Sequence, residues 1–182
     1  MNPERLGRKV VYESDWVNLY LDRVRFPSGH IIEDYHMVDY PRPAVSVLVE
    51  NERGELLFVR VNRYTTGMVE WELPAGGMEV GETPLEAARR EAAEETGHDT
   101  VEHRLIHSYH PMPGSSNKLF HVIHCLAGED LQSYDVNEVD EVHWFSRGEV
   151  EQMLDAGELR DGLTLVALLF WLRGACAGSQ AA

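Results

Sequence analysis

The sequence feature that most constrains the fold is a short segment, residues 83–97, that has helix-capping residues at both ends. Thr83 and Glu86 have the spacing of a capping box, and Pro84 fits the first position of a helix. Gly97 is the residue type that ends helices in the left-handed conformation. The sequence therefore predicts a helix over Pro84–Thr96.

Three glutamates lie in the last turns of this predicted helix. Glu91, Glu94 and Glu95 have the spacing i, i+3 and i+4, beside the helix's apolar stripe. Like charges at this spacing destabilise a helix by about 0.2–0.5 kcal/mol, and negative charge is unfavourable near its C-terminus. Divalent cations would neutralise them, and Mg²⁺ prefers carboxylate and phosphate oxygens. The spacing alone leaves a metal site and a solvated glutamate face open.

The periodicity of the remaining chain predicts a mixed fold. Strand patterns lie at 8–14, 17–26, 31–38, 44–50, 56–62, 103–109, 119–127 and 139–145, and helical patterns at 146–156 and 161–174. The last helix is apolar almost all round, so we expect it to be covered. The order of elements predicts an α/β (α+β) fold, an α/β/α sandwich with a mixed sheet after a small antiparallel N-terminal sheet. We expect an N-terminal sheet at 1–40, a main domain at 41–174 and a flexible tail at 175–182.

Composition narrows the classes of partner. The net charge is −15, from 31 acidic and 16 basic residues, which argues against a nucleic-acid partner. The most hydrophobic run, 163–172, is shorter than the roughly 20 residues of a membrane span, and the N-terminus lacks the apolar stretch of a signal peptide. Cys125 and Cys176 form no CxxC pattern, which suits a reducing cytoplasm. We expect a cytoplasmic protein without a membrane partner.

The predicted helix belongs to a longer pattern. Gly76-x5-Glu82-x7-Arg90-Glu91-Ala92-x-Glu94-Glu95-x-Gly97-His98 resembles the signature of the Nudix hydrolases, G-x5-E-x7-R-E-U-x-E-E-x-G-U, in which U is a bulky aliphatic residue. Every charged and glycine position matches. Ala92 and His98 depart at the two U positions, which are packing positions. The flanking segments SDWVNLYLDRVRFPSG and RVNRYTTGMVEWELPAGGMEVGE are similar to the ADP-ribose and nucleoside-diphosphate-sugar pyrophosphatase branch, as are Pro111 and Pro113 downstream.

The resemblance implies an activity and a cofactor. It implies Mg²⁺-dependent hydrolysis, with Mn²⁺ as a substitute ion, of the diphosphate bond of ADP-ribose or a nucleoside diphosphate sugar. The products would be a nucleoside monophosphate and a sugar phosphate. Two alternatives stay open, a sanitising pyrophosphatase for oxidised nucleoside triphosphates and a non-catalytic domain that senses ADP-ribose. The intact glutamates of the pattern argue against the sensor.

The resemblance also assigns roles around the metal. It implies that the ion is held by Glu91, Glu94, Glu95 and the carbonyl of Ala75. Glu94 and Arg90 would take part in catalysis, Arg90 by orienting a glutamate through a salt bridge. Glu82 would either position the metal-binding residues without contacting the metal, or only interact favourably with the dipole at the helix N-terminus. The general base would be Glu138, or else Glu141, in an acidic segment where the family has a mobile loop.

Substrate contacts and assembly follow from the same resemblance. It implies that Arg63 contacts the diphosphate and that Glu72 and Pro113 help to bind the substrate. Trp16 would stack on a base, although tryptophans are more often core or interface residues. In the resembled branch the N-terminal sheet exchanges between subunits, so we expect a homodimer whose partner helps to form the base pocket.

Overall fold

The computed structural model describes residues 2–130, 134 and 139–176, with only the backbone described at Asp130. Their contacts divide this part of the chain into two compact units. Unit 1 holds the described residues up to 43 together with 110–119, and unit 2 holds those of 44–109 and 120–176. Segment 110–119 lies within the predicted main domain 41–174, but its contacts group it with the N-terminal sheet.

Unit 1 is a small antiparallel sheet with one loop along its edge. The strands run in the order β1 (Glu4–Tyr12), β2 (Asn18–Arg25) and β3 (Ile31–Asp39). The loop 110–119 joins β3 where the N–H of Val38 donates to the carbonyl of Ser115, at 2.8 Å. The amide of Asn117 donates to the Asp39 carboxylate at 2.6 Å, and its oxygen accepts from the N–H of Tyr40 at 2.7 Å. These bonds explain why the loop belongs to this unit.

Unit 2 is built on a mixed sheet. Its strands are β4 (Ala44–Glu50), β5 (Leu56–Arg63), β6 (Met68–Glu72), β7 (Ala75–Gly77), β8 (His98–Tyr109), β9 (Phe120–Asp130) and β10 (Glu141–Phe145). The described strands have the order β10-β5-β4-β9-β8, with β6 paired to β5 and β7 paired to β4. β4 and β9 run parallel and the other pairs are antiparallel.

Three helices cover the two faces of this sheet in the described part of unit 2. They are α1 (Pro84–Thr96), α2 (Arg147–Asp155) and α3 (Gly162–Leu172). Because side chains alternate along a strand, β4 sends Val45, Val47 and Val49 to the α1 side and Leu48 to the side of α2 and α3. Ala92, at a position where the Nudix pattern has a bulky residue, is fully buried against that first face. The predicted fold class is confirmed.

Three expectations about elements need correction. β6 and β7 were not predicted, because β6 carries buried glutamates in place of alternating apolar residues and β7 has only three small residues, Ala-Gly-Gly. The prediction that the last helix is covered was also wrong for the described chain, since Leu169 is 52% exposed. Only one side of α3 packs on the sheet. Among the residues that the structure describes, no helix combines the length and apolar character needed to cross a membrane.

Candidate active site

The glutamate helix α1 has the predicted limits, because local signals fix both ends. The hydroxyl of Thr83 accepts from the N–H of Glu86 at 3.3 Å, and the Glu86 carboxylate accepts from the N–H of Thr83 at 2.8 Å. The Thr83 hydroxyl also donates to the Glu86 carboxylate, at 2.7 Å, and the two hydrogen bonds that this carboxylate accepts lower the pKa of Glu86. At the other end Gly97 has φ 70°, the left-handed conformation, and its N–H donates to the carbonyl of Ala93. The helix therefore holds its glutamates in a fixed register.

Arg90 connects the acidic residues of the site. Its Nε and Nη2 donate to the two oxygens of Glu82, both at 3.0 Å. Its Nη1 donates to Glu91 at 2.8 Å and to Glu94 at 3.1 Å, and Nη2 also reaches the carbonyl of Gly77 at 2.9 Å. The hydrogen bonds to Glu82 raise the pKa of Arg90, and the same contact lowers the pKa of Glu82. Of the two roles considered for Glu82, the contacts favour support of Arg90.

Glu91 lies directly against the backbone of Gly76. A Cβ added to Gly76 would be 2.1 Å from the carboxyl carbon of Glu91, much closer than real Cβ contacts. The neighbouring Gly77 has open space around its Cα, with no atom within 4 Å of an added Cβ. The first glycine of the pattern is thus required by the Glu91 carboxylate, and not by a left-handed backbone.

Glu95 points to a different part of the site. Its Oε2 accepts a hydrogen bond from the N–H of Ala75 at 2.9 Å. Ala75, whose carbonyl was predicted as a metal ligand, follows the short connection from β6 to β7. That connection is bound to the sheet by the carbonyl of Pro74, which accepts from the N–H of Val47 at 2.8 Å.

Two buried carboxylates on β6 each hold an arginine. Arg63 forms a fork on Glu72, with Nη2 at 2.5 Å and Nε at 3.0 Å from the carboxylate. The Glu72 side chain is 3% exposed and that of Arg63 is 44% exposed, and this contact raises the pKa of Arg63. Glu70 forms an ion pair with Arg160 through a single contact, from its Oε1 to Nε at 2.5 Å, without the hydrogen-bonded fork of the first pair. Sequence reasoning missed the Glu70–Arg160 pair, although glutamates two residues apart on a strand signal one shared face.

The remaining predicted site residues lie elsewhere. Trp16 is 83% exposed in unit 1 and so is not a core residue of this chain. Pro113 lines a cavity of about 300 Å³ in unit 1, next to Tyr35 and His110. Glu138 lies outside the described residues. Glu141 is half-exposed, with its carboxylate 3.5 Å from Arg60.

The described residues therefore form a carboxylate site in which the glutamates do not all meet at one point. Arg90 brings Glu82, Glu91 and Glu94 together, whereas Glu95 binds the backbone of Ala75. Within residues 2–130, 134 and 139–176, no three His, Cys, Asp or Glu side chains are grouped closely enough to hold a metal ion. The available donors are carboxylate oxygens, the hard ligands that suit Mg²⁺. The space for the Glu91 carboxylate exists only because residue 76 has no side chain.

The site thus combines a capped glutamate helix, its arginine and a glycine strand, on a mixed sheet that lies between helices. Residues 40–165 match the family model of the NUDIX domain, and residues 4–38 match the model of the nucleoside diphosphate sugar hydrolase N-terminal domain. The chain belongs to the Nudix family and is a Nudix hydrolase.

Relatives with described activities cover nearly the whole chain. A CMP-5'-(N-acetyl-N-hydroxy-3-aminopropyl)phosphonate hydrolase from Streptomyces rubellomurinus is 31% identical over 165 residues, which is 90% of this chain and 79% of the relative. The ADP-ribose pyrophosphatase of Bacillus subtilis is 25% identical, over 93% of this chain and 92% of its own. A crystal structure of an ADP compounds hydrolase superposes with a TM-score of 0.83 at 19% identity, covering 96% of both chains. At that identity the last match shows the fold alone.

Proposed function

We propose that this enzyme hydrolyses the diphosphate bond of ADP-ribose or of a nucleoside diphosphate sugar, with Mg²⁺ bound. The products are a nucleoside monophosphate and a sugar phosphate. The observation that supports this most directly is the arrangement of Glu91 and Glu94 on Arg90, with Glu91 seated on Gly76. Two similarities of the chain favour this substrate class. Residues 4–38 match the N-terminal domain of nucleoside diphosphate sugar hydrolases, and the whole chain is similar to an ADP-ribose pyrophosphatase.

The metal would be held by the three glutamates in the last turns of α1. Glu91, Glu94, Glu95 and the carbonyl of Ala75 are the proposed ligands of Mg²⁺, and Mn²⁺ would substitute for it. Bound metal would neutralise the diphosphate oxygens and lower the pKa of a water to form the nucleophile. Arg90 holds Glu91 and Glu94 in position, and Glu82 in turn holds Arg90.

Arg63, at the end of β5, would contact the diphosphate of the substrate. Arg63 is anchored on Glu72 by one edge of its guanidinium, so a partly exposed cation with a fixed direction is presented to an anionic diphosphate. The exposed Trp16 would stack on a base, and Pro113 would contact the substrate from its loop.

Glu138→Gln tests the proposed general base. We expect kcat to fall by about 100-fold or more, because a general base contributes about 10²–10⁴ to the rate, while Mg²⁺ affinity stays nearly unchanged. The matched control is Glu141→Gln, which removes a carboxylate of the same segment that pairs with Arg60. Steady-state kinetics and metal titration of both variants check this. Wild-type turnover in Glu138→Gln, or a larger loss in Glu141→Gln, would contradict the assignment.

One product assay tests the proposed activity. The enzyme is incubated with Mg²⁺ and separate samples of ADP-ribose, nucleoside diphosphate sugars, nucleoside triphosphates and a CMP-phosphonate, and the products are identified. We expect a nucleoside monophosphate together with a sugar phosphate, and the highest kcat/KM on one of the first two classes. Inorganic pyrophosphate as the product would instead indicate triphosphate hydrolysis, and no product would indicate a sensor. The CMP-phosphonate sample is included because of the Streptomyces relative.

We further propose a homodimer through the N-terminal sheet. β1 is the edge strand of its sheet in the described chain, and Val11 is 49% exposed within a run of three exposed apolar residues, Val10, Val11 and Tyr12. An unpaired apolar edge of this kind is normally covered in a soluble protein.

Val11→Asp tests this interface. We expect the dimer to dissociate at micromolar concentration, because a buried charge without a partner is unfavourable. The control is Leu169→Asp, which changes an equally exposed apolar residue of α3. Light scattering after size exclusion measures both masses. A monomeric wild type, or monomers only in Leu169→Asp, would show that the interface is wrong.

A further inference from the structure

The connection between β6 and β7 is held by three different elements. The N–H of Leu73 donates to Oγ1 of Thr164 on α3, at 3.0 Å. The carbonyl of Pro74 accepts from Val47 on β4, and the N–H of Ala75 donates to Glu95 on α1. Proline has no N–H, so the only backbone donor of this two-residue connection is Leu73, which binds α3, and the next donor along the chain, Ala75, binds a proposed metal ligand.

The start of α3 places Thr164 for this contact. Thr164 is fully buried, and Leu73 is 1% exposed, so the hydrogen bond between them is shielded from water. Its own N–H donates to the Asp161 carboxylate at 2.8 Å, which caps the start of α3. The cap fixes the first turn of the helix, and the hydroxyl in this turn is thereby directed at the backbone of residue 73.

We propose that Thr164 is a positioning residue for the metal site. Its hydroxyl holds Leu73, the connection through Pro74 carries this constraint two residues further, and the N–H of Ala75 then fixes one oxygen of Glu95. The helix on the far side of the sheet thus determines where the Glu95 carboxylate and the Ala75 carbonyl lie. This proposal rests on the proposed function, in which both groups bind Mg²⁺.

The experiment compares Thr164→Val with Thr164→Ser in the full chain. Valine keeps the shape of the side chain and removes the acceptor, whereas serine keeps the hydroxyl. Mn²⁺ affinity is measured by titration with electron paramagnetic resonance detection, followed by kcat, KM and Tm. We expect Thr164→Val to weaken Mn²⁺ binding by about 10-fold and to lower kcat at saturating metal with little change in KM, as for other residues that orient metal ligands. Thr164→Ser should bind Mn²⁺ with the affinity of the wild type.

A matched control separates positioning from stability. Leu168 lies one turn further along α3 and is equally buried, but it belongs to the hydrophobic core. Leu168→Ala should lower Tm at least as much as Thr164→Val and leave Mn²⁺ affinity unchanged. Equal losses of affinity in the two variants would show that Thr164 acts only through stability, which overturns the proposal. If Thr164→Val does not fold, Thr164→Cys makes the same measurement, because its sulfur accepts hydrogen bonds only weakly.

Glu95→Gln distinguishes a failure of the metal assignment from a failure of the role of Thr164. Weakened Mn²⁺ binding in Glu95→Gln, together with wild-type affinity in Thr164→Val, would overturn the role of Thr164 alone. If Glu95→Gln binds Mn²⁺ as the wild type does, the metal assignment fails and the role of Thr164 fails with it.

Discussion

Replacing Gly76 by alanine is expected to lower kcat/KM by about 100-fold, the loss that a displacement of about 1 Å causes in a positioned catalytic group. The new methyl carbon would lie 2.1 Å from the Glu91 carboxyl carbon, so the carboxylate must leave its place between Gly76 and Arg90. The displaced atoms are the far end of a flexible side chain, so the loss of unfolding free energy should stay below the about 1–3 kcal/mol of an overpacked core. Steady-state kinetics and denaturant unfolding of the purified variant measure the two effects.

Gly77→Ala is the control for this substitution. Neither glycine has a positive φ, and an added Cβ at residue 77 meets no atom within 4 Å. We expect unchanged kinetics and a gain in stability of about 0.4–1 kcal/mol, because alanine restricts the unfolded chain. Equal losses in both variants would mean that the strand tolerates no side chain at all, and that the Glu91 contact is not the reason.

Glu94→Gln is expected to lower kcat by about 1000-fold, which corresponds to about 4 kcal/mol of transition-state free energy. The change keeps the shape of the side chain and removes one negative charge from the proposed metal site. The Glu94 side chain is 57% exposed, and its contact in the site is the pair with Arg90 at 3.1 Å. An exposed pair of this kind contributes about 0.3–0.5 kcal/mol, and loss of repulsion among the neighbouring glutamates offsets it, so Tm should barely change.

Kinetics at several Mg²⁺ concentrations and thermal unfolding check this prediction. Glu79→Gln is the control, because it removes an exposed carboxylate from the loop before the same helix. Turnover of Glu94→Gln within tenfold of the wild-type rate would exclude Glu94 as a ligand that the reaction needs. A large fall in Tm would show that the residue supports the fold instead.

Local signals explain which parts of the fold were predictable. The limits of α1 follow from a capping box and a C-terminal glycine, all within fifteen residues, and the structure has the helix at Pro84–Thr96 as predicted. β4 was predictable for a similar reason, since residues 44–49 are apolar except for Ser46, and this nearly continuous run is long enough to indicate a buried strand. β6 was missed because its inward positions are Glu70 and Glu72, whose burial depends on Arg160 and Arg63. A charged residue reads as exposed until its partner is known.

In the candidate active site, too, local sequence determined some features and tertiary contacts determined the others. The sequence alone determined that α1 presents Glu91, Glu94 and Glu95 in one register, because helix caps and periodicity act over a few residues. The tertiary structure decided that Glu91 lies on Gly76, that Arg90 holds Glu82 with two of the helix glutamates, and that Glu95 binds Ala75. It also placed the hydroxyl of Thr164 on Leu73, 91 residues away along the chain. Such contacts depend on how the sheet brings distant segments together, and no local pattern of residues encodes that distance.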